Sequence, residues 1–202
     1  MGKGLEGIFG DVATCAGCDS SLRETLQSVI QLAVEIAREG REGRKIGTLF
    51  VVGDPEQVLA RSRPLLLDPL YGHASELLHI DRPDLRETVK ELAQLDGAFV
   101  VSGDGTFVSA GRYIDVEVGA PGNFLPGLGT RHAAAASISR DTNAIAIVVS
   151  QSSVVRVFSR GEVRAEIIPE LFLLTKHALF TPRATVQQIP DAGLTLAIAG
   201  SA

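Results

Sequence analysis

Between Ser21 and Ala37 the apolar positions Leu22, Leu26, Val29, Ile30, Ala33 and Ala37 return every three or four residues, the period of one helix face. Ser21 and Glu24 stand at capping-box spacing, so the pattern predicts a long amphipathic helix beginning there. Gly40 and Gly43 in "REGREGRK" end it, and the mixed charges suit a solvated connection. "GTLFVVG" at 47–53 changes character: it is too short and too β-branched for a helix and reads as a buried strand. Asp54 and Pro55 then form a cap followed by proline at the first helical position, opening a short helix through Ser62. The Leu- and Pro-rich stretch 63–83 has no period that assigns an element. A second helix is expected over Asp84–Leu95, with Leu85, Val89, Leu92 and Ala93 on one face.

The second half is strand-rich. "AFVVS" (98–102) and "FVSAGRYIDV" (107–116) flank a "GDGT" turn and predict a hairpin. A glycine-rich stretch leads into "GLGTRHAAAAS", where the alanine run favours helix and Thr130 reads as the N-cap. Strands follow at 144–150, at 154–159 and in "RAEIIP". Helices interleaved with both parallel-capable and hairpin strands predict an α/β fold: a mixed central β-sheet flanked by helices in a single globular domain. The expected organisation is an irregular N-terminal arm at 1–20, the domain at 21–190 and a tail at 191–202.

Composition narrows the function classes. With 202 residues, 45% of them hydrophobic, the chain can bury one sizeable core. A formal charge of -5 disfavours a general nucleic-acid binder, whose affinity comes from clustered Lys and Arg. The longest apolar runs, such as "AIAIVV" at 144–149, are far too short to span a bilayer, and no signal-peptide pattern opens the chain. A cytoplasmic protein with no membrane and no nucleic-acid partner is expected. Cys15 and Cys18 form a lone CxxC with no second metal-binding pair, to be read as two reduced thiols, or else as a redox pair or an intersubunit metal site.

Two places could carry chemistry. Arg131 and His132 open the alanine helix, where a cation faces the positive end of the helix dipole at a cost of roughly 0.3–1 kcal/mol. An anion bound there would reverse that penalty: Gly129 permits close approach, the free N–H groups point outward, and Arg131 offers a planar fork of donors. The alternative is an ordinary helix with exposed polar residues at its start. The second place is "LDGAFVV", where Asp96 falls between a helix and a buried strand. It is either a plain Asp-Gly turn or a carboxylate at a sheet edge, able to hold Mg2+ or Mn2+ or to take a proton from a hydroxyl. Tyr113 could stack on a base or simply be a half-buried strand residue. His73, His79 and His177 have no visible partners.

Taken together, "DGAFVVSGDGTFVSAGRYI", "GLGTRHAAAASIS" and "AIAIVVSQSS" resemble the diadenylate cyclase domain family, in its stand-alone archaeal-type branch. The family's marks are Asp-Gly-Ala, then Arg-His-Arg preceded by Gly-Thr, then a Val-Ser strand end. The resemblance covers roughly residues 22–168. It implies condensation of two ATP into cyclic di-AMP with release of two pyrophosphates, across a face-to-face homodimer or within a higher homo-oligomer, with Mg2+ or Mn2+. By the same resemblance Asp96 is the metal-binding and catalytic carboxylate and Gly97 and Ala98 border the ribose. Gly129, Thr130, Arg131 and His132 hold the triphosphate, Ser150 lies beside it, and Tyr113 packs against adenine. The sequence departs from the pattern at Ala133, where the family has its second arginine. That departure makes a catalytically weak nucleotide-binding module, sensing ATP or cyclic di-AMP, the alternative function.

Overall fold

The computed structural model describes residues 20–116, 129–169, 185–189 and 194–198. The chain divides into two compact units, residues 1–169 and residues 170–202. In the first, the elements run α1 (Ser20–Glu39), β1 (Thr48–Val52), α2 (Pro55–Ala60), β2 (Ser62–Pro64), a 3-10 turn (Ser75–Leu77), α3 (Pro83–Leu92), β3 (Ala98–Val101), β4 (Phe107–Ile114), α4 (Thr130–Asp141), β5 (Ile145–Val149), β6 (Val155–Ser159) and β7 (Glu162–Ile167). In the second, β8 (Thr185–Ile189) and β9 (Leu194–Ile198) pair antiparallel. The expected domain edge at residue 190 falls between them.

The seven strands of the first unit form one mixed sheet in the order β2-β4-β3-β1-β5-β6-β7, the architecture the sequence predicts. Only β1 and β3 run parallel, and α2, β2 and α3 fill the crossover between them. The three central strands β1, β3 and β5 are buried along their whole length. A strand covered on both faces needs apolar residues at every position, which is why they read as unbroken β-branched runs.

Alternation divides the core in two. On one face Leu49, Val51, Ala98, Val100, Ala146, Val148 and Phe158 meet Ala135 and Ile138 of α4 and Val58 of α2. On the other face Phe50 and Phe99 stack at 5.1 Å, and Phe107 meets both edge-on. Such aromatic pairs are worth about 0.5–1.5 kcal/mol each beyond the area they bury. Helix α1 packs on β1, β5 and β6 and takes no part in the α4 cluster, so it covers the phenylalanine face, and α3 packs against α1. The two helices are joined by ions: Lys90 of α3, buried, reaches Glu35 at 3.1 Å, Glu39 at 3.4 Å and Glu87 at 2.8 Å. No helix among the described residues is long and apolar enough to cross a membrane.

Several local expectations shift. Helix α2 ends at Ala60 rather than Ser62, because Ser62–Pro64 pairs with β4 as a short edge strand. Asp54 does precede α2, yet with φ of 46° it makes no side-chain cap and accepts instead from the Asn143 backbone N–H at 3.0 Å. The Ser21 hydroxyl donates to the Gly103 carbonyl at 3.2 Å, alongside Thr25 at 3.0 Å, so it ties α1 to the β3–β4 turn rather than closing a capping box. Gly40 ends α1 as expected, in the left-handed region at φ 59°.

Candidate active site

Strand register gathers the candidate residues at one end of the sheet. β1 and β3 are parallel with Leu49 opposite Ala98, which sets Gly47 level with Asp96 just ahead of the two strands. β1 and β5 are antiparallel with Thr48 opposite Val149, which brings Ser150 beside Gly47. Ala98 lies opposite Arg112, so Tyr113, near the end of β4, is at the same end of the sheet. Helix α4 delivers its first turn here too: Arg131 Nη2 donates to Asp96 Oδ1 at 2.9 Å.

Each residue of Asp96-Gly97-Ala98 has a distinct local reason. Asp96 leaves the turn after α3 with its side chain 78% exposed. Gly97 has φ of 107°, and a Cβ there would stand 2.5–2.8 Å from the backbone of Gly111 and Arg112. No side chain fits, because β4 passes directly over it. Ala98 is buried and begins β3, where its small methyl meets the α4 side of the core. A carboxylate is thereby presented to solvent from a rigid, close-packed base.

The start of α4 lies one residue earlier than the alanine pattern indicates. Gly129 is the N-cap, with extended backbone and no side-chain cap bond, and Thr130 is the first helical residue, exposed. Glycine serves as a cap almost as well as Ser or Asn, so the Thr130 hydroxyl is not needed for that role. Arg131 passes over Gly47, where a Cβ would come within 3.1 Å of its Nη1. The absence of a side chain at Gly47 clears the path by which the guanidinium reaches Asp96.

His132 turns the other way. It is 8% exposed, edge-on to Phe158, with Nε2 3.1 Å from Arg156 Nη1. Burial first, and the neighbouring Arg156 charge second, hold its pKa below the ordinary histidine value, with Glu166 opposing them. Arg156 in turn donates to Glu166 through Nε. An exposed acid–guanidinium pair, a helix start with no side-chain cap and a buried neutral imidazole thus share one sheet end, a site suited to an anion and a cation together.

Residues 35–163 match the family described as DisA bacterial checkpoint controller nucleotide-binding. The chain belongs to that family. Among curated relatives it is similar to a diadenylate cyclase of Methanocaldococcus jannaschii, 45% identical over 157 residues, which are 77% of this chain and 49% of that protein. A diadenylate cyclase of Haloferax volcanii is 42% identical over 149 residues, 73% of this chain and 54% of that one. The chain spans about half the length of the curated relatives it matches. Its fold is similar to that of a Bacillus cereus protein described as membrane spanning, with a TM-score of 0.52 and 21% identity over 69% of this chain and 62% of that chain.

The stretch matching the DisA nucleotide-binding family contains Asp96–Ala98, Tyr113, Gly129–His132 and Ser150, and the structure brings all of them to one sheet end. They are not equally available. The Ser150 hydroxyl is engaged in the β5–β6 turn, 2.8 Å from Ser152 Oγ and accepting from the Val154 N–H at 3.1 Å. Tyr113 is half-exposed and already carries the Arg63 guanidinium 4.4 Å from its ring centroid. Cys15, Cys18, Gly127 and His177 lie outside the described residues.

Sequence reasoning missed Gly47, Arg63, Arg156 and Glu166. For Arg156 a signal existed: in "VVRVFS" it alternates onto the same face as Phe158, an inward face on which a lone charge needs partners. Among the described residues no three His, Cys, Asp or Glu side chains gather as a metal site. Asp96 as a single exposed carboxylate fits Mg2+ or Mn2+, which keep several waters and take one or two carboxylates together with substrate phosphates, and does not fit a cation held by protein alone.

Proposed function

We propose that the chain is a diadenylate cyclase, condensing two ATP into cyclic di-AMP and two pyrophosphates. The observation that carries this reading is the Asp96–Arg131 contact across the end of the sheet: it unites the acidic and basic motifs in one site, in a chain whose curated relatives are named diadenylate cyclases. Arg131, Thr130 and the first N–H groups of α4 bind the triphosphate, and Gly129 lets it approach. Gly97 and Ala98 form the floor beneath the ribose, and Tyr113 offers its ring to the base. Asp96 would hold Mg2+ or Mn2+ together with the phosphates, and the cation when bound would neutralise phosphate charge and acidify the nearby 3'-hydroxyl.

In each half-reaction the 3'-oxygen of one ATP bonds to the α-phosphorus of the other, and the bond to pyrophosphate breaks. The hydroxyl proton passes to a carboxylate oxygen of Asp96. Positioning and charge neutralisation supply most of the rate gain in such transfers. One Asp96 and one Arg131 serve one nucleotide, so the proposal requires two copies facing each other about a twofold axis. An ATP substrate supports a cytoplasmic setting for this reaction.

Ala133 favours a second reading, a sensor that binds nucleotide and turns it over weakly. Incubation with ATP and Mn2+, followed by chromatography, separates the two. Cyclic di-AMP formed by the wild type and lost in Asp96→Asn supports the cyclase. Tight ATP binding with no product across metals and protein concentrations overturns it in favour of the sensor.

A further inference from the structure

Gly47 is buried and stands just ahead of β1. A glycine is required where the backbone is left-handed or where another group comes too close for a side chain. The first reason does not apply, because the φ of Gly47 lies outside the left-handed region. The second does. A Cβ at this position would meet Arg131 Nη1 at 3.1 Å, the Val149 carbonyl oxygen at 3.3 Å and Gln151 Cγ at 3.4 Å. The tightest of the three is the guanidinium that also carries the bond to Asp96.

The two arms of that guanidinium have different neighbours. Nη1 lies over Gly47, while Nη2 donates to Asp96 Oδ1 at 2.9 Å. Strand register sets Gly47 level with Asp96, so the fork spans the starts of β1 and β3. Arg131 is also the only charge that the first turn of α4 brings to this end: Thr130 and Ala133 are neutral, and His132 turns into the core against Phe158. A planar fork binds phosphate well only when it is held in the matching orientation. With a single fork available, whatever fixes its pose fixes the affinity.

We propose that Gly47 is a positioning residue of the nucleotide site: by lacking a side chain it lets the Arg131 fork settle across the starts of β1 and β3, where it can pass from Asp96 to a phosphate. The inference rests on the reading of Arg131 as a phosphate ligand and adds a residue that acts through it. It does not depend on turnover.

The test is a double-mutant cycle on ATP affinity, measured by calorimetry with Mg2+ present, using Gly47→Val, Arg131→Ala and the two combined. The methyl groups of valine reach one bond further than Cβ, into the space that Nη1 occupies. Gly47→Val should weaken ATP binding on the order of tenfold, as losing the charge-assisted bond itself does. Gly47→Ala should cost about threefold, the effect of driving one side chain off its preferred rotamer. In the Arg131→Ala background neither substitution at Gly47 should weaken binding further, because the group it displaces is gone. A general loosening of the fold would instead act in both backgrounds. Wild-type affinity in Gly47→Val overturns the proposal, and so do losses that multiply in the double variant. If Gly47→Val does not fold, Gly47→Ala decides by the same two criteria. Unchanged affinity in Arg131→Ala sinks the nucleotide-site reading and this inference with it, whereas a loss there with none in the Gly47 variants sinks this inference alone.

Discussion

Replacing Gly97 with alanine tests how closely the site and the fold depend on each other. Two costs combine. At φ 107° an alanine sits in a region that side chains rarely adopt, a strain of order 1–3 kcal/mol. Its Cβ would also stand 2.5 Å from the Gly111 carbonyl carbon and 2.8 Å from the Arg112 nitrogen. Those are backbone atoms of β4 and cannot swing aside, so the strands must separate, an overpacking cost of about 1–3 kcal/mol. The total, roughly 2–6 kcal/mol, is a large share of a typical domain stability of about 5–15 kcal/mol. At about 2–4 °C per kcal/mol for a unit of this size, the melting temperature should fall by roughly 5–20 °C. Gly43→Ala is the control: Gly43 has φ of 73° with nothing within 4 Å of a Cβ, so only backbone strain is added there. Circular dichroism melts of the three proteins measure the difference. A Gly97→Ala protein that melts within 2 °C of the wild type, or no lower than Gly43→Ala, would refute the steric account of the Asp-Gly-Ala turn.

Arg131→Ala should weaken ATP binding by about tenfold or more, as expected for a charge-assisted bond, while its exposed pair with Asp96 contributes only about 0–1 kcal/mol to folding; calorimetry with an unchanged affinity would remove Arg131 from the site. Stability should be level only between about pH 8 and pH 9 and fall on both sides. On the acid side the loss begins as pH drops through the ordinary histidine value of about 6.5, because His132, whose folded pKa is lowered, resists the proton that the unfolded chain accepts. Below about pH 5 a further loss comes from Asp104, lowered by the Ser102 hydroxyl and the Thr106 N–H, and from Asp141, lowered by Arg140. Their folded pKa values lie below the unfolded ones, so their contribution is present at neutral pH and disappears as pH falls through the folded values. Lys90 behaves in the opposite sense: burial disfavours its charge, but Glu87, Glu35 and Glu39 outweigh burial and raise its pKa. Its contribution is complete below the ordinary lysine value and is lost as pH rises through the folded one. A melting temperature that slopes between about pH 8 and pH 9, or that stays level as pH falls from about 7 to 5, would contradict these assignments.

The sheet was largely legible because its central strands are covered on both faces and so announce themselves as β-branched runs. β2 was not, since Ser62–Pro64 has no apolar period of its own. It is a strand only because β4 lies beside it and Arg112 bonds its Ser62 oxygens at 2.7 and 3.2 Å. The site was legible as two separate motifs, but no spacing rule pairs residues 35 apart, and the Asp96–Arg131 contact is a product of strand register. His132 could have been placed better. It shares the buried face of α4 with Ala135, Ile138 and Ser139, a helical repeat visible in "HAAAASIS" that marks it as an inward residue rather than a free cation.

In the structure Asp96 and Arg131 satisfy each other. Seen from a distance the site is nearly neutral, on a molecule of net charge -5, so it has little long-range field with which to draw in a polyanion. Capture occurs at contact, when the guanidinium trades a carboxylate for a phosphate and the carboxylate is released to a cation. Affinity at such a site measures an exchange of partners, and added salt, which weakens the pair being broken as well as the one being formed, should alter it less than the charges alone would suggest.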